Sequence, residues 1–262
     1  MSDVPAHLAP GALSRLYAAA VIVFLLAPIV VGIVVSFSSG YRLEFPIPGF
    51  SLRWFADALS KPQFIEGLIV STVIASSSAV LATIAGTGAA IALDHYEFPG
   101  RALIRASVMM PIVLPGILLG LGLLFGLSLF GLRPGMLATT IGHAVLGVPY
   151  VVAMVAAALA NYDRSLERAS MNLGVGPVGT FFRITLPLIK HGVAAGAITA
   201  FLISFDNFSV SLFISRGDTL PLRLMQQLRG YVDPSVAAIS TVLVLGSLLL
   251  LAVVLPFIAR NR

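Results

Sequence analysis

Hydrophobic residues run along this chain in long uninterrupted stretches, without the strict alternation of a barrel strand. Leu16 to Tyr41, Gly67 to Leu93, Ala106 to Leu132, Pro134 to Tyr162 and Pro234 to Ala259 carry no Asp, Glu, Lys or Arg. Each exceeds the roughly 20 residues that a helix needs to cross the hydrocarbon core of a bilayer. A sixth stretch, Gly192 to Ser215, holds one charge, Asp206. The pattern predicts an all-α integral membrane protein with six transmembrane helices, at about 16–37, 67–92, 104–130, 137–160, 192–215 and 236–258. The first is too long for a signal-peptide core, and Ser36-Phe37-Ser38-Ser39-Gly40 is a poor cleavage site, so it reads as a retained helix.

The segments between the spans are unequal. Ser38 to Glu66 contains Phe45-Pro46-Ile47-Pro48-Gly49, stiff and extended because proline fixes φ and restricts its predecessor. Ser51 follows as a candidate N-cap, with Trp54 and Phe55 suited to a membrane interface. The third span carries Pro111 and Pro115, then Gly116/Gly120 and Gly122/Gly126, pairs of small residues that let helices approach closely. A short amphipathic segment lies between Thr219-Leu220-Pro221-Leu222-Arg223 and Asp233-Pro234. It could touch a delivering partner or cover the bundle.

Composition agrees with this picture: of 262 residues, 58% are hydrophobic and only 10% charged, far below the roughly 25% of a soluble domain. The basic excess, net +5, forms no tract, so it reads as membrane-flanking charge and no nucleic-acid partner is expected. The absence of cysteine excludes disulfides, thiolate metal sites and cysteine nucleophiles within the chain. With the N-terminus inside, nine Lys/Arg fall on the cytoplasmic side and seven outside, a narrow margin for the positive-inside rule.

Gly174-x-Gly176-x-x-Gly179 has the letters of a dinucleotide-binding turn, but a helical stretch precedes it and position 194 is alanine where an acid would be needed. No Walker A sequence occurs. The same region predicts helix, glycine turn and second helix. Asp163 is the N-cap, Glu167 sits near the positive helix end, and Leu166, Ala169, Ser170 and Leu173 share a face. Gly174 would end the helix in the left-handed conformation, and Pro177 would open a second one with Phe181, Phe182 and Ile184 on its apolar side, before Pro187 begins the next segment. Such a knob could dock into a soluble partner or lie on lipid.

Asp206 is the one acid well inside a span, which insertion scales price at about 2.5–3.5 kcal/mol. With Ser204, Asn207, Ser211 and Ser215 it forms a polar strip, and a candidate translocation pathway comprises Asp206, Asn207, Ser204 and Ser211. The alternative is a structural aspartate satisfied by neighbouring hydroxyls or a partner's arginine. His143 has no second ligand at metal spacing and reads as a packed side chain; no metal site and no catalytic constellation are expected.

Ser165-Leu166-Glu167-Arg168-Ala169-Ser170, then Asn172-Leu173-Gly174, then Ile184-Thr185-Leu186-Pro187 resembles the EAA loop of ATP-binding-cassette importer permeases. Phe50 to Phe55, the His143 and Pro149-Tyr150 segment, Ser204 to Phe208, and Thr219-Leu220-Pro221 through Ala238 to Thr241 are similar to the spermidine/putrescine and opine-type branch. The resemblance covers nearly the whole chain. It implies a type I importer permease fold with the coupling helix between spans 4 and 5. Residues 1–66 would form a tail, first helix and external loop, 67–258 the core with the coupling loop at 161–190, and 259–262 a cytoplasmic tail. Leu166, Glu167, Arg168, Ala169, Ser170, Leu173, Gly174, Leu186 and Pro187 would couple the chain to an ATPase. The implied partners are a second permease, usually a different chain, two cytoplasmic ATPases that bind ATP and Mg, an external or periplasmic solute-binding protein, and the lipid bilayer. This chain itself would bind no cofactor, would not be an enzyme, and would sit in a bacterial inner membrane with both termini cytoplasmic. The implied cargo is a small polar solute such as a polyamine or opine-like amino compound; a stand-alone channel or ion-coupled carrier is the competing class. The sequence departs from the family at Arg168 and Ala169, where two alanines are preferred, at His191, which replaces a proline, and at Asn207, where relatives often carry a second acid.

Overall fold

The computed structural model describes residues 11–230 and 233–259, and every regular element among them is helical. The elements are α1 (Ala12–Ser36), α2 (Arg53–Ser60), α3 (Pro62–His95), α4 (Arg101–Val113), α5 (Gly116–Leu129), α6 (Met136–Leu159), α7 (Ser165–Asn172), α8 (Pro177–Thr180), α9 (Leu186–Phe205), α10 (Ser211–Ile214), α11 (Leu220–Gly230) and α12 (Ser235–Ala259). A π-helical stretch, Phe181–Thr185, joins α8 to α9. Among the described residues four continuous helices are long and apolar enough to span a membrane, and α4 with α5 makes a fifth segment if counted together. The apolar α12 supplies the sixth hydrophobic segment.

The described residues fall into two compact units, one formed by 11–61 with 227–249 and the other by 62–226 with 250–259. In the first unit, Phe37 stacks on Phe50 and packs against Phe55, while the Trp54 indole donates to Gly40 O at 3.1 Å and Arg53 donates to the same carbonyl at 2.7 Å. Ser51, expected as the N-cap, lies one residue outside it: Leu52 holds that position without a side-chain cap bond, and Ser51 Oγ instead accepts from the amide of Arg53, two residues on, in a local turn. Trp54, expected at a membrane interface, is instead buried. At the far end of α2, Lys61 pairs with Asp57 at 2.8 Å and with Asp233 at 3.4 Å, and Asp233 Oδ1 accepts from the Ser235 amide that opens α12.

The second unit is built on α3, α6 and α9, which pack mutually around Ala82, Val151, Val155, Ile189 and Ala200. Glycines set the spacing of these helices. A Cβ on Gly147 would meet the side chains of Ala82 and Ala200, and one on Gly196 would lie 3.0 Å from the Val151 backbone. Small residues are what let helices approach in a membrane, where apolar surface gains nothing by leaving lipid. The first turn of α11 lies on α3: the Leu220 amide donates to Ser71 Oγ at 2.9 Å, a Cβ on Gly67 would lie 3.2 Å from Leu220 Cα, and Leu220 and Leu222 are buried. Of the two readings of this segment, covering the bundle is the one its contacts match.

Two expected spans differ in detail. The single kinked helix at 104–130 is two helices bent by 118°, because Pro115 holds Leu114 extended (ψ 135°) and has no amide to donate back into the ladder. The span expected at 192–215 ends at Phe205, where Asp206, Asn207 and Ser209 offer side-chain alternatives to helical hydrogen bonds. Its start is also earlier: the helix runs from Leu186 with Pro187 inside its first turn. Pro187 lacks the amide that would reach back to Arg183, and the wider π turns just before it are where the chain accommodates that loss.

Candidate functional site

The projecting knob begins with Asp163, whose carboxylate accepts from both the amide and the hydroxyl of Ser165. These bonds hold its acid below the usual carboxylate range and make it the effective cap, one residue outside the helix-flanking position. Helix α7 ends in a Schellman motif. Val175 N donates to Ser170 O at 3.2 Å and Gly174 N to Met171 O at 3.0 Å, with Gly174 at φ +84°. The expected glycine terminator is therefore present, and the nucleotide-turn reading has no strand to stand on. Ser170 Oγ and Thr180 Oγ1, 3.0 Å apart and buried, tie α7 to α8. The second helix of the knob is shorter than expected. After the four residues of α8 the chain passes without interruption through the π stretch into α9.

Side chains on the knob divide into two sets. Leu166, Met171, Leu173, Val178 and Phe182 are exposed, Leu173 to 85%. Arg168, Ala169 and Pro187 are exposed too, while Leu186 is half-buried. Glu167 turns the other way. Its carboxylate accepts from Thr185 Oγ1 at the start of α9 and lies 2.9 Å from Nε2 of His95, the last residue of α3. Burial acts to raise the Glu167 acid, but the bonds from Thr185 and His95 outweigh it and hold the group below the ordinary range. A second tie lies alongside: Arg164 donates to the carboxylate and carbonyl of Asp94. The phenol of Tyr162 is raised by burial and by the charge of Glu167. Sequence reasoning found Glu167 and quoted Thr185 only as part of the motif, and it missed Tyr162, Arg164 and Thr180 within the loop and Asp94 and His95, which lie in a distant segment with no shared spacing.

The candidate pathway residues lie around the break after α9. Asp206, at φ −97° and ψ 9°, closes α9 and is exposed on this chain's own surface. Asn207 is half-buried, and its Oδ1 accepts from the Val210 amide at 2.9 Å. Ser204 and Ser211 are buried, and both bond the His143 ring: Nδ1 lies 2.8 Å from Ser204 Oγ, and Nε2 lies 3.0 Å from Ser211 Oγ. The break therefore separates the expected polar strip into an outward pair, Asp206 and Asn207, and an inward pair. Facing the break, a Cβ on Gly116 would lie 2.9 Å from Ser209 Cβ, and one on Gly120 would lie 3.1 Å from Ser209 O. Two interrupted helices thus meet at their interruptions. Among the described residues no group of three His, Cys, Asp or Glu could hold a metal ion.

A bundle of apolar helices long enough to span a membrane, with a knob that exposes apolar side chains and is tied to two of the helices, is the outline of an integral membrane protein with a docking element. Comparison with known proteins gives the outline its family. Residues 82–261 match the family described as binding-protein-dependent transport system inner membrane component. The chain is 32% identical over 233 residues to the putrescine transport system permease protein PotI of Escherichia coli K12, covering 86% of this chain and 82% of that protein. It is 29% identical over 245 residues to the spermidine/putrescine transport system permease protein PotC of the same organism, covering 93% of this chain and 92% of that protein. In fold it is similar to a chain of a bacterial ABC transporter that imports the acidic polysaccharide alginate (TM-score 0.66, 14% identity, 95% of each chain). It is also similar to a chain of an amino acid ABC transporter (TM-score 0.60, 19% identity, 79% of this chain and 98% of that one).

The chain belongs to the family of binding-protein-dependent transport system inner membrane components. It is a multi-pass permease subunit of an ABC importer in a bacterial inner-membrane transporter family, with the type I permease fold. The channel and ion-coupled carrier readings have no support. Membership implies partners of three kinds: a permease, an ATPase and a solute-binding protein.

Proposed function

We propose that this permease moves a small cationic polyamine of the putrescine class. The observation that carries the reading is its 32% identity, over most of its length, to a permease named for putrescine transport. The Asp206 carboxylate, exposed at a helix break, is chemistry suited to an ammonium group. Asn207 beside it keeps polarity without adding a second charge. In this reading two ATPases bind ATP and Mg on the cytoplasmic side, the second permease is a different chain, and both termini of this subunit are cytoplasmic. The exposed apolar side chains of the knob, with Leu166 and Leu173 foremost, seat in an ATPase groove, while Glu167 holds the knob to its own bundle. Closure of the ATPases on ATP would move the knob and the attached helices as a body and expose the break to alternate sides.

The test is uptake of radiolabelled putrescine by proteoliposomes carrying the complete importer and its binding protein. Wild type should accumulate putrescine only with ATP inside, and Asp206→Asn should cut that uptake about tenfold or more, a loss of about 1.4 kcal/mol. Uptake without any ATPase, or equal uptake by Asp206→Asn, would overturn the reading.

A further inference from the structure

A hydrogen-bonded chain crosses four helices at the centre of the second unit. Ser78 Oγ of α3 lies 2.8 Å from Ser204 Oγ of α9, which lies 2.8 Å from His143 Nδ1 of α6. His143 Nε2 continues it to Ser211 Oγ of α10 at 3.0 Å. All four residues are buried, the histidine to 2% exposure. A neutral imidazole has one donor and one acceptor, and two hydroxyls in these positions use both. Space alone would be filled at lower cost by leucine, since a buried polar ring must be matched by polar partners.

The partners of that ring stand on opposite sides of the break. Ser204 is in the last turn of α9 and Ser211 is the first residue of α10, with Asp206 and Asn207 between them. One turn earlier on α6, Thr139 Oγ1 donates to Ile214 O at 3.0 Å, so α6 grips α10 at its other end as well. From the other side α5 closes on the break through Gly116 and Gly120. The interruption is a held structure, and the group holding both of its lips is one imidazole.

We propose that His143 is a positioning residue for solute passage: by fixing the separation of Ser204 and Ser211 it sets where the Asp206 carboxylate points. Being buried, it acts on the solute only through that carboxylate. The inference rests on the reading of Asp206 as the acid that faces a cationic solute.

The experiment is a double-mutant cycle on the complete importer in proteoliposomes, with putrescine as the solute and KM and Vmax of uptake as readouts. His143→Leu should raise the putrescine KM about tenfold or more, because displacing a binding group by about an ångström is enough to cost such factors. His143→Gln, whose amide keeps one donor and one acceptor, should recover part of that loss. In an Asp206→Asn background, His143→Leu should raise KM no further, since the two changes act on one contact. A wild-type KM for His143→Leu overturns the inference, and so does an equal fold-increase in both backgrounds. If His143→Leu does not assemble, Ser211→Ala removes one end of the staple and carries the same cycle. An Asp206→Asn importer with unchanged KM sinks the underlying reading and the inference together. A normal Asp206 effect with additive His143 effects sinks the inference alone.

Discussion

Glu167 in the knob and His95 at the end of α3 are 72 residues apart in sequence and 2.9 Å apart in space. Thr185, at the start of α9, donates to the same carboxylate, so one acid joins the knob to two of the three helices of the core. Motion imposed on α7 therefore has a short polar route into α3 and α9. Flexible loops would dissipate such a displacement, whereas hydrogen-bonded ties pass it on as rigid-body motion.

Glu167→Gln should weaken that junction by about 1.5–3 kcal/mol, the usual scale for hydrogen bonds to a charged group. The Glu167 acid is depressed in the folded chain, so its stabilising contribution is complete above the unfolded value of about 4.3 and lost as pH falls through the lower folded value. The difference in thermal stability between wild type and Glu167→Gln in detergent should accordingly be present at pH 5 and shrink as the pH falls below about 4. A difference that vanished already at pH 6 would mean that the carboxylate is not held in its charged form.

The Arg164–Asp94 pair, about a third to two-fifths exposed, makes a different prediction. Exposed pairs contribute only about 0.2–1 kcal/mol to stability, so Asp94→Ala should barely change melting. Its effect should appear in transport per ATP hydrolysed. The charge swap Asp94→Arg with Arg164→Asp should restore coupling that either single change lowers, and measuring uptake and ATPase activity on the same proteoliposomes checks this.

Gly174 sits at φ +84°, where a β-branched side chain is strained by about 1–2 kcal/mol. Its Cβ would meet nothing within 4 Å, so crowding plays no part and the cost is in the backbone alone. Gly174→Val should therefore rearrange the end of α7 and reduce ATPase binding and uptake, while Gly174→Asn, which tolerates the left-handed region better, should retain more of both. Equal losses in the two variants, measured by ATPase co-purification, would argue against a conformational cause.

Much of this arrangement was legible because its signals were local. Gly174 followed by Pro177 announced a helix end and a helix start, and the five charge-free stretches and the sixth with one acid located the hydrophobic segments, although the helix expected at 192–215 runs from Leu186 to Phe205. The two helix breaks were less legible. A Pro115 kink and a 118° bend have the same letters, and what decides between them is whether another element accepts α5, as the Ser209–Val210 backbone does. Asp206 was visible as a lone acid in an apolar run, but its place at a helix end depends on Asn207 capping Val210. His143 looked like packing because both of its partners are serines on other helices, and serine in a span carries little signal by itself. The ties to Asp94 and His95 were illegible for the same reason: contacts between distant segments leave no periodicity to read.

The glycines of α5 separate two roles that small residues play in a span. Gly120 lies where a Cβ would come within 3.1 Å of both Ser209 O and Val210 Cα, backbone atoms that cannot swing aside. Gly122, two residues on and on another face, has nothing within 4 Å in this chain. Gly120→Val should therefore overpack the contact that closes the break, at a cost of about 1–3 kcal/mol, and lower both the melting temperature and putrescine uptake. Gly122→Val has no such contact within the chain, so the isolated subunit should melt within about 0.5 kcal/mol of wild type. Measured again in the assembled importer, the same Gly122→Val variant reports on its surroundings. Unchanged assembly means that this face of α5 meets lipid, and loss of the second permease from the purified complex means that the face is where that subunit packs.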